Sequence, residues 1–520
     1  MVKPFKLLKN FFTVGFWTLV SRILGFIRDV LFAAFLGTGP LAEAFLIAFT
    51  LPNMFRRIFA EGAFNLAFVP LFSKKLANQE QAKEFAENAF AVLLAFLLGL
   101  VILAQLIMPF LVLAMASGFS GDERFDLAVL FGRIAFPYVL FISAAALFSG
   151  LLNSLGRFVA AAAAPVLLNV LFILSLFGAY WLGWDIGLTL AWCVPIAGIA
   201  QLALVWFAAS KAGFNLRVKL PKFSPEIKKL LIIAAPAALT GGVVQINLLI
   251  GRQVASFTEG AVAWLNYADR LYQLPLGVVG IAVGIVLLPE LSKKLTGGDH
   301  EGGNYTFNRA TEAAMALTIP ATVALITIAY PVVSILFERG AFNQNDSQYT
   351  SQALIIYAFG LPAFVLQKVY QPIYFARENT KTPFNFALIS MLINAVVAIG
   401  LLSTLGYLAA ALGTTLAGWA MLFLLIWGTR NFSGAGKFDS QLRKALAKII
   451  IASILMGSGL ILGDFILGSW LYQPGIRYVS LALLIVGGLF VYGLSHLLLG
   501  TWEWNKVKGF FQNQDKISGN

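Results

Sequence analysis

Apolar runs of about 20 residues or more follow one another along this chain with only short polar breaks between them, and each is long enough to cross a bilayer as a helix. No stretch between them is long enough to fold as a separate soluble domain. Composition agrees, with 59% of residues hydrophobic and 12% charged, against roughly 25% charged in an average soluble domain. The chain reads as an all-α polytopic membrane protein. Hydropathy gives about 14 spans, among them 10 to 37, 43 to 72 and 475 to 500.

Lys3, Lys6 and Lys9 precede the first apolar run, as in a signal peptide. That run continues past a usual signal core, contains Arg22 and Arg28 and lacks a small-residue cleavage site, so it reads as a retained first span. The single cysteine, Cys193, excludes a disulfide framework and a thiolate metal site. A net charge of +13 raises nucleic acid as a partner, but the distribution argues against it. Every second loop, together with both ends, holds about 26 Lys and Arg, whereas the opposite loops hold about three, Arg124, Arg339 and Arg477. That asymmetry places both termini in the cytoplasm.

The sequence also repeats itself. Pro70-Leu71-Phe72-Ser73-Lys74-Lys75 closes the second span, and Pro289-Glu290-Leu291-Ser292-Lys293-Lys294 closes the eighth. Leu51-Pro52 matches Leu274-Pro275, Gly37 matches Gly260, and Arg28 stands before the first glycine much as Arg252 stands before the second. A duplicated six-span unit predicts two pseudo-symmetric lobes, 1–215 and 216–435, around a central cavity, with residues 436–520 forming an appended helix pair and tail.

Charges sit where a bilayer disfavours them. An ionised side chain at the centre of a membrane helix costs about 2.5–3.5 kcal/mol on insertion scales. On the first span Ser21, Arg22, Gly25, Arg28 and Asp29 share an arc of roughly 120°. On the second, Asn53, Arg57, Glu61 and Asn65 recur every four residues, so Arg57 and Glu61 are placed to pair, with Arg56 beside them. The eighth span carries Asn266, Tyr267, Asp269, Arg270 and Gln273, and Arg252, Lys368 and Arg133 lie in three others. Within the spans these cations outnumber Asp29, Glu61 and Asp269. Surplus guanidinium in a wet cavity suits an anionic ligand, and Arg forks match phosphate oxygens. Against this, any one Arg can snorkel or pair structurally, Arg133 and Arg57 above all. The predicted substrate-binding set is Arg22, Arg28, Asp29, Arg56, Arg57, Glu61, Arg252, Asp269, Arg270 and Lys368.

Enzymatic signatures are poor. The histidines are His300 and His496, which form no acid-base or metal cluster. Gly434-Ala435-Gly436-Lys437 lacks the leading glycine of a phosphate-binding loop and has Phe438 where Ser or Thr belongs. No catalytic residue, metal or cofactor is expected, and transport would run on a coupling ion, the membrane potential or product removal.

Ser-Arg-Ile-Leu-Gly-Phe-Ile-Arg-Asp at 21–29, Leu-Pro-Asn-Met-Phe-Arg-Arg-Ile-Phe-Ala-Glu-Gly-Ala-Phe at 51–64, Tyr267-Ala268-Asp269-Arg270-Leu271, Lys368, Phe375-Ala376-Arg377 and Lys381-Thr382-Pro383 closely resemble the MurJ (MviN) lipid II flippases of bacteria. These belong to the multidrug/oligosaccharidyl-lipid/polysaccharide exporter superfamily. The resemblance implies a lobe-and-appendage fold in the cytoplasmic (inner) membrane, lipid II as substrate with the cell-wall synthesis machinery as a further partner, and Arg22, Arg28, Arg56 and Arg270 as headgroup contacts. It also implies a groove for the lipid tail in the last two helices, lined by Gly457, Gly459, Gly463, Gly487 and Gly488. Spans 7, 11 and 12 have no interior Asp or Glu, which argues against sodium coupling as proposed in relatives. A drug or cation antiporter or another polyprenyl-diphosphate-oligosaccharide flippase of the same superfamily, a membrane enzyme acting on polyprenyl phosphates and a scaffold for cell-wall synthesis are the rival readings.

Overall fold

The computed structural model describes residues 4–58, 64–430, 432 and 436–500. Among these there is no strand beyond an isolated bridge between Arg339 and Phe342. The helices are α1 Pro4–Leu36, α2 Pro40–Phe55, α3 Asn65–Lys75, α4 Gln79–Met115, α5 Glu123–Ala135, α6 Tyr138–Ser154, α7 Val159–Leu182, α8 Ile186–Lys211 and α9 Pro225–Ala255. They continue as α10 Ala261–Thr296, α11 His300–Thr327, α12 Ala329–Phe337, α13 Gln344–Phe375, α14 Lys381–Gly400, α15 Leu402–Leu405, α16 Leu408–Gly428, α17 Ser440–Leu467 and α18 Arg477–Leu498.

Short polar breaks set where the helices begin. Asn78, Asp122, Asp185, Ser224, Asp299 and Asp439 each stand before a helix and accept a hydrogen bond from an amide of its first turn, which satisfies a donor that has no partner within the helix. Ten helices or helix pairs among the described residues are long and apolar enough to cross a membrane, with α5 and α6 counted as one. The rest of the expected fourteen fall on α1, on α2 and α3 either side of residues 59–63, and on α9 and α10. For those the count rests on the sequence.

Two compact units emerge. The first comprises residues 1–264, 339–343 and 402–407. In it α1 packs on α7, α2 on α5, and α8 on both α6 and α7, while α9 lies against α3 and α4. Phe32, Phe45, Phe49 and Phe172 form the core between α1, α2 and α7, with ring centroids 5.4 to 6.1 Å apart. At the end of α1 the turn carrying Gly340 and Ala341 docks on the helix through a hydrogen bond from the Ala341 amide to the Ala34 carbonyl at 2.8 Å. Gly37, at φ +65°, borders this contact, and a Cβ there would stand 2.6 Å from the Ala341 carbonyl oxygen. Only glycine meets both demands.

The second unit comprises residues 265–338, 344–401 and 408–520. In it α16 packs on α13 and α14, α11 on α13 and α17, and α17 on α18. Thr415 Oγ1 donates to the Ile356 carbonyl at 2.9 Å and Trp419 Nε1 to the Phe359 carbonyl at 3.0 Å, tying α16 to α13. The glycines expected to line a tail groove serve close helix packing instead. A Cβ on Gly457 would meet Val323 of α11, and on Gly459, Gly463 and Gly488 it would meet Val491, Leu484 and Leu460 between α17 and α18. Gly487 alone of the five faces open space.

The expected lobes, 1–215 and 216–435, are defined by internal similarity, and the compact units by packing; α9 follows residue 215 yet packs within the first unit. The paired positions of the repeat share local structure. Gly37 and Gly260 are both left-handed, and Pro52 and Pro275 both lie inside helices.

Candidate functional site

Ser21, Gly25 and Arg28 fall one turn apart on α1, and α7 lays Asn169 against that face. Arg28 is 7% exposed and Asp29 5%. Arg28 Nη2 and Nε donate to Asp29 Oδ1 at 2.7 and 3.1 Å, while Nη1 donates to Asn169 Oδ1 at 3.0 Å. Asn169 carries the connection back to α1, where its Nδ2 donates to the Ser21 carbonyl at 3.0 Å. The guanidinium also lies over the rings of Phe32 and Phe172, 5.5 and 5.7 Å from their centroids. The expectation that the buried arginines are left for a ligand to neutralise therefore does not hold at Arg28. Its neighbour and a residue 141 positions on already occupy three of its N–H directions.

The other predicted residues are placed as follows. Arg22 is exposed on α1. Arg56 is half-buried and Arg57 exposed, on a widened, π-type turn where α2 ends at residues 56–58. Such turns break the regular ladder and recur at functional sites. Glu61, and with it the expected pairing to Arg57, lies outside the described residues. Arg252 is half-buried in the last turn of α9. In the second unit Asp269 and Arg270 are half-buried on α10, Asp269 accepting a hydrogen bond from Gln273 one turn on, and Lys368 is exposed on α13. The structure thus brings Arg28 and Asp29 together, and adds Asn169. Among the described residues no three His, Cys, Asp or Glu side chains converge as a metal site.

A second buried ion pair joins α2, α5 and the turn between α9 and α10. Glu43 is fully buried and Arg124 is 5% exposed. Arg124 Nη1 donates to Glu43 Oε2 at 2.9 Å and to the Ser256 carbonyl at 3.4 Å, and its Nε donates to Asp122 Oδ2 at 2.7 Å. The other Glu43 oxygen accepts from the Val262 amide at 2.9 Å, in the first turn of α10, where the helix dipole favours an anion. Nearby, the Gly118 amide donates to Ser256 Oγ at 3.0 Å and the Ser117 amide to Gln253 Oε1 at 3.0 Å. Neither Glu43 nor Arg124 stands out in the sequence as buried, since Glu43 sits at the edge of an apolar run and Arg124 in a polar break.

Asp122, in the loop before α5, accepts from the Arg124 backbone amide at 3.0 Å, and this bond, with help from the guanidinium, holds its carboxyl below its ordinary range. A folded-state value below the unfolded one means stability that is complete above the unfolded value and lost as pH falls through the folded one. Asp122→Asn is expected to flatten the acid limb of thermal unfolding scanned from neutral pH to about pH 3. An acid limb unchanged from the parent would assign that sensitivity elsewhere.

A family model described as lipid II flippase MurJ matches residues 32–483. The chain belongs to the MurJ family. A MurJ relative from Rhizobium tropici, named a probable lipid II flippase, is 44% identical over 511 residues, covering 95% of this chain and 94% of its own. A solved structure of lipid II flippase MurJ in an inward closed conformation superposes with a TM-score of 0.79 at 29% identity, covering 93% of this chain and 98% of that one. An inward-facing multidrug resistance MATE transporter of the MOP superfamily superposes at 0.66 with 18% identity, covering 78% and 93%, and shows a shared fold alone. In this MurJ family member the residue that sequence reading missed at the α1 site is Asn169. It is uncharged and its partners are far away in the chain, so neither hydropathy nor helical periodicity marks it. A buried amide in a membrane helix is the one signal that would have drawn attention to it.

Proposed function

We propose that the chain moves lipid II, the undecaprenyl-diphosphate-linked peptidoglycan precursor, from the cytoplasmic to the outer leaflet by alternating access. The near-full-length similarity to proteins named as lipid II flippases carries this reading. Cations held within helical spans support it, because a diphosphate crossing between leaflets needs charge-matched, water-accessible groups along its way. In this reading Arg22, Arg56, Arg57, Arg252, Arg270 and Lys368 meet the headgroup, Arg28 is presented to it from its bracket of Asp29 and Asn169, and the lobes 1–215 and 216–435 rock about it. The protein would act in the bacterial cytoplasmic membrane with both ends in the cytoplasm and catalyse no covalent step. Membrane potential can reset an emptied, positively charged site, since each charge crossing it is worth about 2.3 kcal/mol per 100 mV. The similarity to a multidrug transporter, at 18% identity, brings no drug substrate with it.

The test is complementation. Cells depleted of their own flippase and carrying this chain are expected to export the precursor and grow, and with Arg270→Ala to accumulate it inside. Growth with no recovery of export would reject the reading, as would export unaffected when Arg22, Arg56 and Arg270 are all replaced.

A further inference from the structure

Between α8 and α9 the chain leaves the helical pattern for residues 214–223, a strap fixed to the start of α4. Phe214 and Leu216 point inward, 3% and 1% exposed. The Arg217 amide donates to Glu87 Oε1 at 3.2 Å, and Lys219 pairs with the same carboxylate, whose side chain is 4% exposed. Asn88 grips Lys222 twice, donating to its carbonyl at 2.7 Å and accepting from its amide at 2.8 Å. Having been pinned so firmly, the strap still presents large apolar side chains outward. Val218 is 64% exposed, Leu220 85% and Phe223 78%.

Two requirements conflict unless the strap lies in one particular layer. Backbone outside a helix cannot face hydrocarbon, where its polar groups would have no partner. Three apolar side chains 64 to 85% exposed on one pinned segment are equally out of place in bulk water. The interface between headgroups and acyl chains satisfies both, with the backbone at the polar level and the side chains dipping below it. Charge then chooses the lipid. From Lys211 to Lys229 the chain carries Lys211, Arg217, Lys219, Lys222, Lys228 and Lys229 against one carboxylate, Glu226. Lys219 is held by Glu87, whereas Arg217, Lys222, Lys228 and Lys229 are exposed.

We propose that the strap of residues 217–223, with Lys228 and Lys229, is a docking site for anionic phospholipid headgroups at the membrane surface. Val218, Leu220 and Phe223 enter the upper acyl region, and the cations straddle lipid phosphates, so the link between α8 and α9 is anchored to the bilayer as well as to α4. Exposed cations at such a surface add to affinity nearly independently, each changing it about fivefold.

The test uses the full chain in lipid nanodiscs. In a Cys193→Ala background, Leu220→Cys or Phe223→Cys carries an environment-sensitive nitrobenzoxadiazole probe, in phosphatidylcholine alone or mixed equally with phosphatidylglycerol. Nitroxide lipids labelled just below the headgroup are expected to quench the probe, aqueous iodide is not, and nitroxide-labelled phosphatidylglycerol is expected to quench at lower mole fraction than its phosphatidylcholine counterpart. Arg217→Gln with Lys222→Gln, both at exposed positions, is expected to erase most of that preference. Quenching by iodide with none by lipid would overturn the proposal by placing the strap in water or against a soluble partner. Equal quenching by both lipids, unchanged by the charge variants, would overturn it by leaving only an unselective apolar contact.

Discussion

Arg124→Ala is expected to destabilise the protein by about 3–5 kcal/mol, because it strands a buried carboxylate. Glu43 has no exposed side-chain surface, and once the guanidinium is gone only backbone amides such as that of Val262 remain to it. The loss extends past one pair. The guanidinium also reaches Asp122, the Ser256 carbonyl and, at 3.5 Å, the Gly118 carbonyl, so one side chain holds α2, the loop before α5 and the turn ahead of α10 together. Arg124→Lys keeps the charge but not the fork, and should fall between the parent and Arg124→Ala. Glu43→Ala removes the stranded charge, so the double variant is expected to be less damaged than the sum of the singles, with a coupling of about 0.5–3 kcal/mol. Unfolding midpoints of the four proteins in one detergent measure the cycle. Losses below about 1 kcal/mol in every variant would mean that water reaches the pair, and would demote it to a surface ion pair.

The same pair shows where sequence reasoning stops. Apolar run length found the helices, because that signal is local and the bilayer enforces it, whereas the polar residues that begin them went unread. Arg28 and Asp29 were legible for that reason, as charges at forbidden depth on one face of α1. Glu43 and Arg124 were not, because a charge at the end of an apolar run is ordinarily solvated, and the contacts that enclose these two include Val262, more than two hundred residues away from Glu43. Asn169 was hidden for a related cause. An amide carries no hydropathy signal strong enough to stand out, and what defines its role is its contact with α1. The glycines of α17 and α18 show the converse error: small residues at helical spacing signal close approach, but spacing does not say whether a lipid or a neighbouring helix fills the room. Here Val491, Leu484 and Leu460 fill it.

The Arg28 bracket supports a prediction that separates a strut from a ligand-binding group. If Arg28 serves only to hold α1 against α7, removing either end of its contact with Asn169 should do comparable harm, all of it to stability. If the bracket instead presents the guanidinium to a diphosphate, the two changes part company. Asn169→Ala is expected to cost about 1–3 kcal/mol in stability, since it leaves polar groups near α1 without their amide, while Asp29 still directs Arg28 through two of its N–H groups. Precursor binding should then change by no more than a few-fold. Arg28→Lys keeps one positive charge but offers a single, strongly hydrated ammonium in place of a planar fork. It has no planar fork with which to stay on Asp29 and also present parallel N–H groups to a phosphate, and the loss of a charge-assisted bond worth about 1.5–3 kcal/mol weakens binding by one to two orders of magnitude. Native mass spectrometry of the purified variants titrated with a polyprenyl-diphosphate lipid reads binding, and thermal unfolding reads stability. Parallel losses in both variants on both measurements would make Arg28 a structural member, and the headgroup would then have to be met by the half-buried and exposed cations Arg22, Arg56 and Arg270.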